Sequence, residues 1–410
     1  SAKTLEVQLF RNWNLISINV VPGDEFRDEE GDLDIVLMTE QLRIDEDTHL
    51  IQLMKDEAGH FYAPEPWEFN NIPFWNLEEG YQVKIDPEIE EEFVVAEWTG
   101  APVPADADVH IDPGWNMIAY YPEYELDASA PDFYVLSPII DVVGLAKDAL
   151  GNFMAPAWHF SNMPPWRETQ GYQIRIDADE QVVLNYPPEQ EEAAFAAAHS
   201  SFGESAWTAP VSTGSNMSVL VRSVSGLRVD DGDQIAAFGP DGRLVGLGEV
   251  RDGRCGLAVW GDDASTEAVE GLQTGEAFAL RLWDADRGAV VELETGVILQ
   301  GSGLVYGTDD FVVLDVSVRA AVPDDYYLSQ NYPNPFNSVT RLAYGLPEAS
   351  HVRVCVYDVA GRLVATLVEG DLAAGHHAAL WDAEDASAGV YLVRMESAGF
   401  SAVRKVMLVK

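Results

Sequence analysis

A repeat within the chain's first half constrains its fold most. Residues 53–85, LMKDEAGHFYAPEPWEFNNIPFWNLEEGYQVKI, answer residues 145–176, LAKDALGNFMAPAWHFSNMPPWRETQGYQIRI, in a steady register. Lys55-Asp56 matches Lys147-Asp148, and Gly59 matches Gly151. After one deletion, Trp67, Phe69, Asn71, Pro73, Trp75 and Gly80-Tyr81 match Trp158, Phe160, Asn162, Pro164, Trp166 and Gly171-Tyr172. Upstream, NWNLISINVVP at 12–22 answers GWNMIAYYP at 114–122, and the loop that follows is ten residues longer in the first copy. A period of 92–102 residues exceeds that of a solenoid unit, so these are two tandem domains.

Each copy reads as β. Residues 15–21 and 117–121 are strand-like runs, and 81–85 and 172–176 alternate apolar with polar residues. Proline is too frequent here for long helices. A Pro-, Glu- and Ala-rich stretch follows, whose middle, EEAAFAAAH at 191–199, fits two helical turns. From 211 to 319 short strands alternate with Asp-Gly turn signals at 231–232, 241–242 and 252–253. The expected architecture is all-β, a multidomain chain of tandem β-sandwich or Ig-like domains. It divides into 1–96 (first copy), 97–186 (second copy), 187–210 (linker), 211–319 (third β-sandwich) and 320–410 (C-terminal domain).

The last domain opens on NYPNPFNS at 331–338, with two prolines, three asparagines and two aromatics in eight residues. The prolines keep Tyr332 and Asn334 out of the α region. Tyr332 and Phe336 are suited to pack as plugs against the domain. Further marks are Tyr357-Asp358 with Gly361, Ala374-Gly375-His376, Trp381-Asp382, Gly389-Val390-Tyr391 and the tail at 404–410. Nearly all of 327–410 resembles the type A C-terminal sorting domain of the type IX secretion system, which moves proteins across the bacterial outer membrane. Ser338-Val339 stands where Pro-Thr is common, and Ala383 where Gly is common. The resemblance implies an Ig-like sandwich and contact with secretion machinery. Its signal residues would be Asn331, Tyr332, Pro333, Asn334, Pro335, Phe336, Asn337, Lys405 and Lys410. A plain structural Ig-like module, like that closing flagellar hook-cap proteins, is the alternative.

Charge supports an exported passenger with a separate docking part. The formal net charge is −45. Residues 326–410 hold 7 Lys/Arg against 8 Asp/Glu, leaving 17 against 61 in the rest. Such a passenger repels phosphate backbones, so nucleic acid is not an expected partner. No apolar run is long enough for a membrane helix. The chain starts at Ser1, which fits removal of a signal peptide or a start introduced in expression. Cys255 and Cys355 are the only cysteines. They are either two buried thiols or, if their domains approach closely, one disulfide.

No GxSxG, HExxH, Gly-rich phosphate loop or paired CxxC occurs, so a non-enzyme is expected. Calcium is the one candidate cofactor. Its candidate ligands are Asp24, Asp28, Asp32 and Asp34 in the longer first-copy loop, and Asp230, Asp231 and Asp233 in the third domain; a solvated acidic face is the alternative reading. Trp67, Trp75, Trp158 and Trp166 are candidate sugar-stacking platforms, or simply duplicated packing. The expected function is an extracellular structural protein that self-assembles into a filament or layer, a homo-polymer joined by terminal strands, with LEVQLF at 5–10 as donor strand. A carbohydrate-binding adhesin using the repeated aromatics is the alternative.

Overall fold

The computed structural model describes residues 2–190, 205–318, 323 and 325–409. The helix expected at 191–199, Ser1 and Lys410 lie outside the described residues. Two compact units divide the chain, Ser1–Val318 and Arg319–Lys410. Both are built of strands, so the all-β expectation holds.

In the first unit the two repeats fold alike. Copy 1 forms a five-stranded sheet in the order Asn12–Ile16, Tyr81–Ile85, Ile51–Lys55, Phe61–Ala63, Phe69–Asn70. Copy 2 repeats that order with Gly114–Ile118, Tyr172–Ile176, Val143–Lys147, Phe153–Ala155 and Phe160–Ser161. The longer loop of copy 1 holds a short helix, Ile35–Thr39, whose first turn is capped by Asp34 accepting from the Leu37 amide at 2.8 Å. A second layer in copy 1 pairs Lys3–Phe10 with Phe93–Pro102, which also pairs with Val20–Pro22. The boundary expected at 96/97 therefore falls inside a strand.

That pairing corrects the donor-strand expectation. LEVQLF lies antiparallel to Phe93–Pro102 over its whole length. Leu5, Val7 and Leu9 are buried in the copy 1 core while the intervening side chains face out. The period-2 pattern that suggested a strand for export is the pattern of a strand already half-buried at home.

The two copies lock together through reciprocal main-chain bonds. Gly80 of copy 1 donates to the Met117 carbonyl at 2.9 Å, and its counterpart Gly171 donates to Leu15, the counterpart of Met117, at 3.0 Å. Ala119 donates to Glu78 and Ser17 to Thr169, again a matched pair. This is the arrangement of a local two-fold between duplicated domains.

The domain expected at 211–319 as a third sandwich instead joins its strands, from Asn216 to Val318, edge to edge in a closed barrel. Its order is Asn216–Ser225, Arg254–Trp260, Leu244–Arg251, Gln234–Phe238, Ala279–Asp284, Ala289–Gln300, Phe311–Val318. Parallel pairing of Asn216–Ser225 with Phe311–Val318 closes it. The tight turn at 252–253 holds both Asp252 and Gly253 at positive φ (50° and 71°), as a two-residue hairpin requires.

The second unit is a two-layer sandwich. Tyr327–Leu328, Val339–Leu346 and Gly375–Asp382 form one sheet. Leu363–Leu372, Ser350–Asp358, Gly389–Ser397 and Phe400–Leu408 form the other, and Phe336, Trp381, Tyr391 and Val393 lie in its core. Cys255 in the barrel and Cys355 in this unit are both buried free thiols. Burial pushes the Cys255 thiol up to about 12.

Candidate functional site

The 331–338 segment is stitched to the end of its own unit. The Phe336 amide donates to the Met407 carbonyl at 2.9 Å, and Val409 returns a bond to the Phe336 carbonyl at 2.8 Å. Asn334 Oδ1 accepts from the Met407 amide, and Asn334 Nδ2 reaches the Lys405 carbonyl. Asn331 is buried and donates to Pro333 and to Thr340 Oγ1, each at 2.9 Å. Phe336 is fully buried beside Trp381, with ring centroids 5.3 Å apart. Tyr332, expected as a second plug, is 83% exposed. One aromatic therefore anchors the segment and the other is presented to solvent.

A second set of polar groups holds the repeats on the barrel. Asp263 of the barrel accepts from Trp13 Nε1 at 2.7 Å and pairs with Lys84 Nζ at 2.9 Å. Burial alone would raise its carboxyl, but bonds from Ser265, Lys84 and Trp13 outweigh this and hold it below the usual range. On copy 2, the buried Lys147 ammonium reaches Asp309 of the barrel at 2.6 Å and lies 4.6 Å from the Trp115 ring centre. Burial draws this lysine's pKa down against the pull of Asp309. The matched Lys55 sits 4.7 Å from the matched Trp13 ring.

The four candidate stacking tryptophans separate. Trp75 and Trp166 are core residues, so neither offers a ring face to a sugar. Trp75 packs against Tyr81 and Trp98, and Trp166 lies parallel to Tyr172 with centroids 3.8 Å apart. Trp158 is half-buried, its indole donating to Gln300 of the barrel at 2.8 Å. Only Trp67 of the four is exposed, at 76%, beside the touching rings of Phe61 and Phe69 in an open groove of about 810 Å³.

Most of the candidate calcium aspartates bond amides or arginines of the chain itself. Asp28 Oδ1 accepts from the Glu30 and Asp32 amides, Asp34 caps its helix, and Asp24 faces Arg27. Asp230 pairs with Arg228, Asp231 accepts from the Asp252 amide, and Asp233 accepts from the amides of Asp230 and Ala285. Among the described residues no group of three or more His, Cys, Asp or Glu side chains converges as a metal site. Asp28 closes a local turn, whereas Asp231 and Asp233 tie their loop to the Asp252 and Ala285 amides of other segments.

Sequence reasoning did not find the Asp263 and Asp309 anchors. Each is one of an adjacent aspartate pair in an acidic chain, Asp262-Asp263 and Asp309-Asp310, and its basic partner is distant in sequence. The repeated Lys55/Lys147 and Trp13/Trp115 pairs were the available signal.

Residues 330–410 match the family of secretion system C-terminal sorting domains. The chain is accordingly a secreted, cell-surface protein whose C-terminal unit serves a type IX route and engages its secretion machinery. Among the described residues, no helix is long and apolar enough to cross a membrane. No curated protein matches the chain. Among solved structures, a β-glycosidase from Bacteroides vulgatus aligns at 10% identity over 47% of this chain and 24% of its own, with a TM-score of 0.20. Dimeric latent PorU from Porphyromonas gingivalis aligns at 12% identity over 79% of this chain and 36% of its own, with a TM-score of 0.18. A tetra-tandem repeat from the extending region of a large adhesion protein aligns at 11% identity over 88% and 92%, with a TM-score of 0.15. The chain thus spans about a quarter of the glycosidase and about a third of PorU. Scores this low bear on neither site nor activity.

Proposed function

We propose that the chain is a non-catalytic structural protein of the cell surface, its first unit a preassembled β scaffold that joins its neighbours in an extracellular filament or layer. The observation that carries this reading is where the reactive-looking side chains go. Lys84, Lys147, Trp13 and Trp115 are occupied in fastening repeats to barrel, and most of the clustered aspartates bond amides or arginines of the chain. With Lys3–Phe10 paired inside its own sheet, assembly would run through side-chain faces rather than strand donation. Immunogold labelling of intact producing cells tests the reading. Label on periodic extracellular material is expected, and label confined to the cell interior would contradict it.

A second reading, a glycan-binding adhesin, is favoured by Trp67 with Phe61 and Phe69. It needs saturable binding on a glycan array that Trp67→Ala removes.

A further inference from the structure

The duplication places the same face on both copies, but among the described residues only one is covered. In copy 2, Phe153 and Phe160 pack with Leu220, Phe311 and Val313 of the barrel. Gly256 of the barrel comes so close that an added methyl would stand 2.5 Å from the Phe160 ring. Beside it Gln300 accepts from the Trp158 indole. The rings of Phe153 and Phe160 are buried, at 0% and 7% exposure. Their counterparts in copy 1, Phe61 and Phe69, keep the same mutual contact at 4.8 Å yet are 37% and 43% exposed, with Trp67 standing free beside them. Asn71 and Asn162 hold the two turns identically, each accepting from the matched phenylalanine amide at 2.7 Å. Copy 1 therefore has a finished docking face whose rings no described residue of the barrel covers.

The barrel also carries an uncovered apolar ridge. Val297, Ile298 and Leu299 are three successive exposed aliphatics at 59%, 45% and 37%. Register shifts on either side of Ile298 turn the strand outward there. Residues 295–308, TGVILQGSGLVYGT, contain no charge in a chain of net −45. The ridge runs directly into Gln300, the residue that bonds Trp158, and so continues an interface the barrel already makes with this type of face. Ser265 of the barrel likewise lines the copy 1 groove and accepts from Lys84.

We infer that the Phe61–Phe69 groove of one molecule receives the Val297–Leu299 ridge of a second copy of the chain. The inference rests on the self-assembling structural reading and names its contact. The copy 2 face is covered by Leu220, Val313 and Phe311 of the barrel beside the close Gly256, and the ridge offers barrel aliphatics of the same kind between Gly296 and Gly301. An uncharged ridge also lets two strongly acidic molecules meet without opposing carboxylates. Groove and ridge are different surfaces, so the contact is head-to-tail and propagates unless rotation closes it.

Sedimentation velocity at high ionic strength, which screens the self-repulsion, tests it with Phe69→Asp and Ile298→Asp. Both positions are exposed, and unchanged thermal unfolding verifies each variant's fold. Wild type is expected to grow in size with concentration while each variant stays monomeric. An equimolar mixture of the two variants, which leaves one intact groove and one intact ridge, is expected to form dimers and nothing larger. Association that survives either substitution, or a mixture that stays monomeric, would overturn this contact and leave the assembly reading standing. A wild type that never associates would overturn both. If Phe69→Asp instead removes binding of labelled oligosaccharides to a monomeric wild type, the groove is a sugar platform.

Discussion

Gly80 and Gly171 meet where the two copies of the repeat cross. A methyl group added to Gly80 would stand 3.3 Å from the Gly171 Cα and 3.1 Å from the Ile118 carbonyl oxygen. One added to Gly171 would stand 2.9 Å from the Ile16 carbonyl oxygen. The glycines are required by close main-chain approach, with each amide crossing to the other copy. Gly171→Ala is expected to destabilise the first unit by about 1–3 kcal/mol, with Gly80→Ala milder. Urea unfolding of both single variants and the double variant checks this. The double should cost less than the sum, because either methyl already separates the copies.

Removing one partner of the Lys147–Asp309 pair has unequal consequences. Asp309→Ala leaves the fully buried ammonium of Lys147 without its carboxylate and is expected to cost about 3–5 kcal/mol. Lys147→Met removes the charge that needed a partner, and Asp309, one-third exposed, turns to water. That variant should lose well under half as much. Equal losses in chemical denaturation would contradict the argument.

Asp148 gives the first unit a pH dependence of known sign. Desolvation pushes its carboxyl up to about 6, although Asn152 and the amides of Leu150 and Gly151 oppose the rise. A raised carboxyl favours the protonated folded state. Its contribution is therefore complete below its unfolded pKa of about 4 and is lost as pH rises through about 6. Asp148→Asn, with Asn152 turning its amide over, should gain on wild type in melting temperature between pH 4 and 7. A constant difference across that range would contradict the assignment.

In the C-terminal unit, Phe336→Ala should cost about 3–5 kcal/mol, because the ring fills core space beside Trp381. Tyr332→Ala, at an exposed position, should change stability by less than about 0.5 kcal/mol. Thermal unfolding separates the two effects. A secretion defect in the Tyr332 variant with normal stability would assign that ring to recognition rather than folding.

Local pattern made much of this fold legible, and long-range docking did not. The repeat register, the Asp-Gly turns and the sorting segment are short-range signals, and each names its own structure. Trp75 and Trp166 read as ligand platforms because aromatic residues look alike in sequence whether they face a core or a cleft. Their burial depends on rings that only the folded core brings together, Trp98 on Trp75 and Tyr120 and Tyr186 on Trp166. LEVQLF misled for a related reason, since alternation fits a strand at home and a strand donated. The uncovered face of Phe61 and Phe69 was invisible in principle. The two copies have matching residues there, and only the barrel's position distinguishes them.

Assembly into ordered material is the central claim, and negative-stain electron microscopy of the purified full-length chain tests it most directly. Grids prepared at high ionic strength, with calcium and then with chelator, should show fibres or sheets in both conditions, since most of the aspartates that could hold calcium are bonded within the chain. Single particles in every condition would contradict the account.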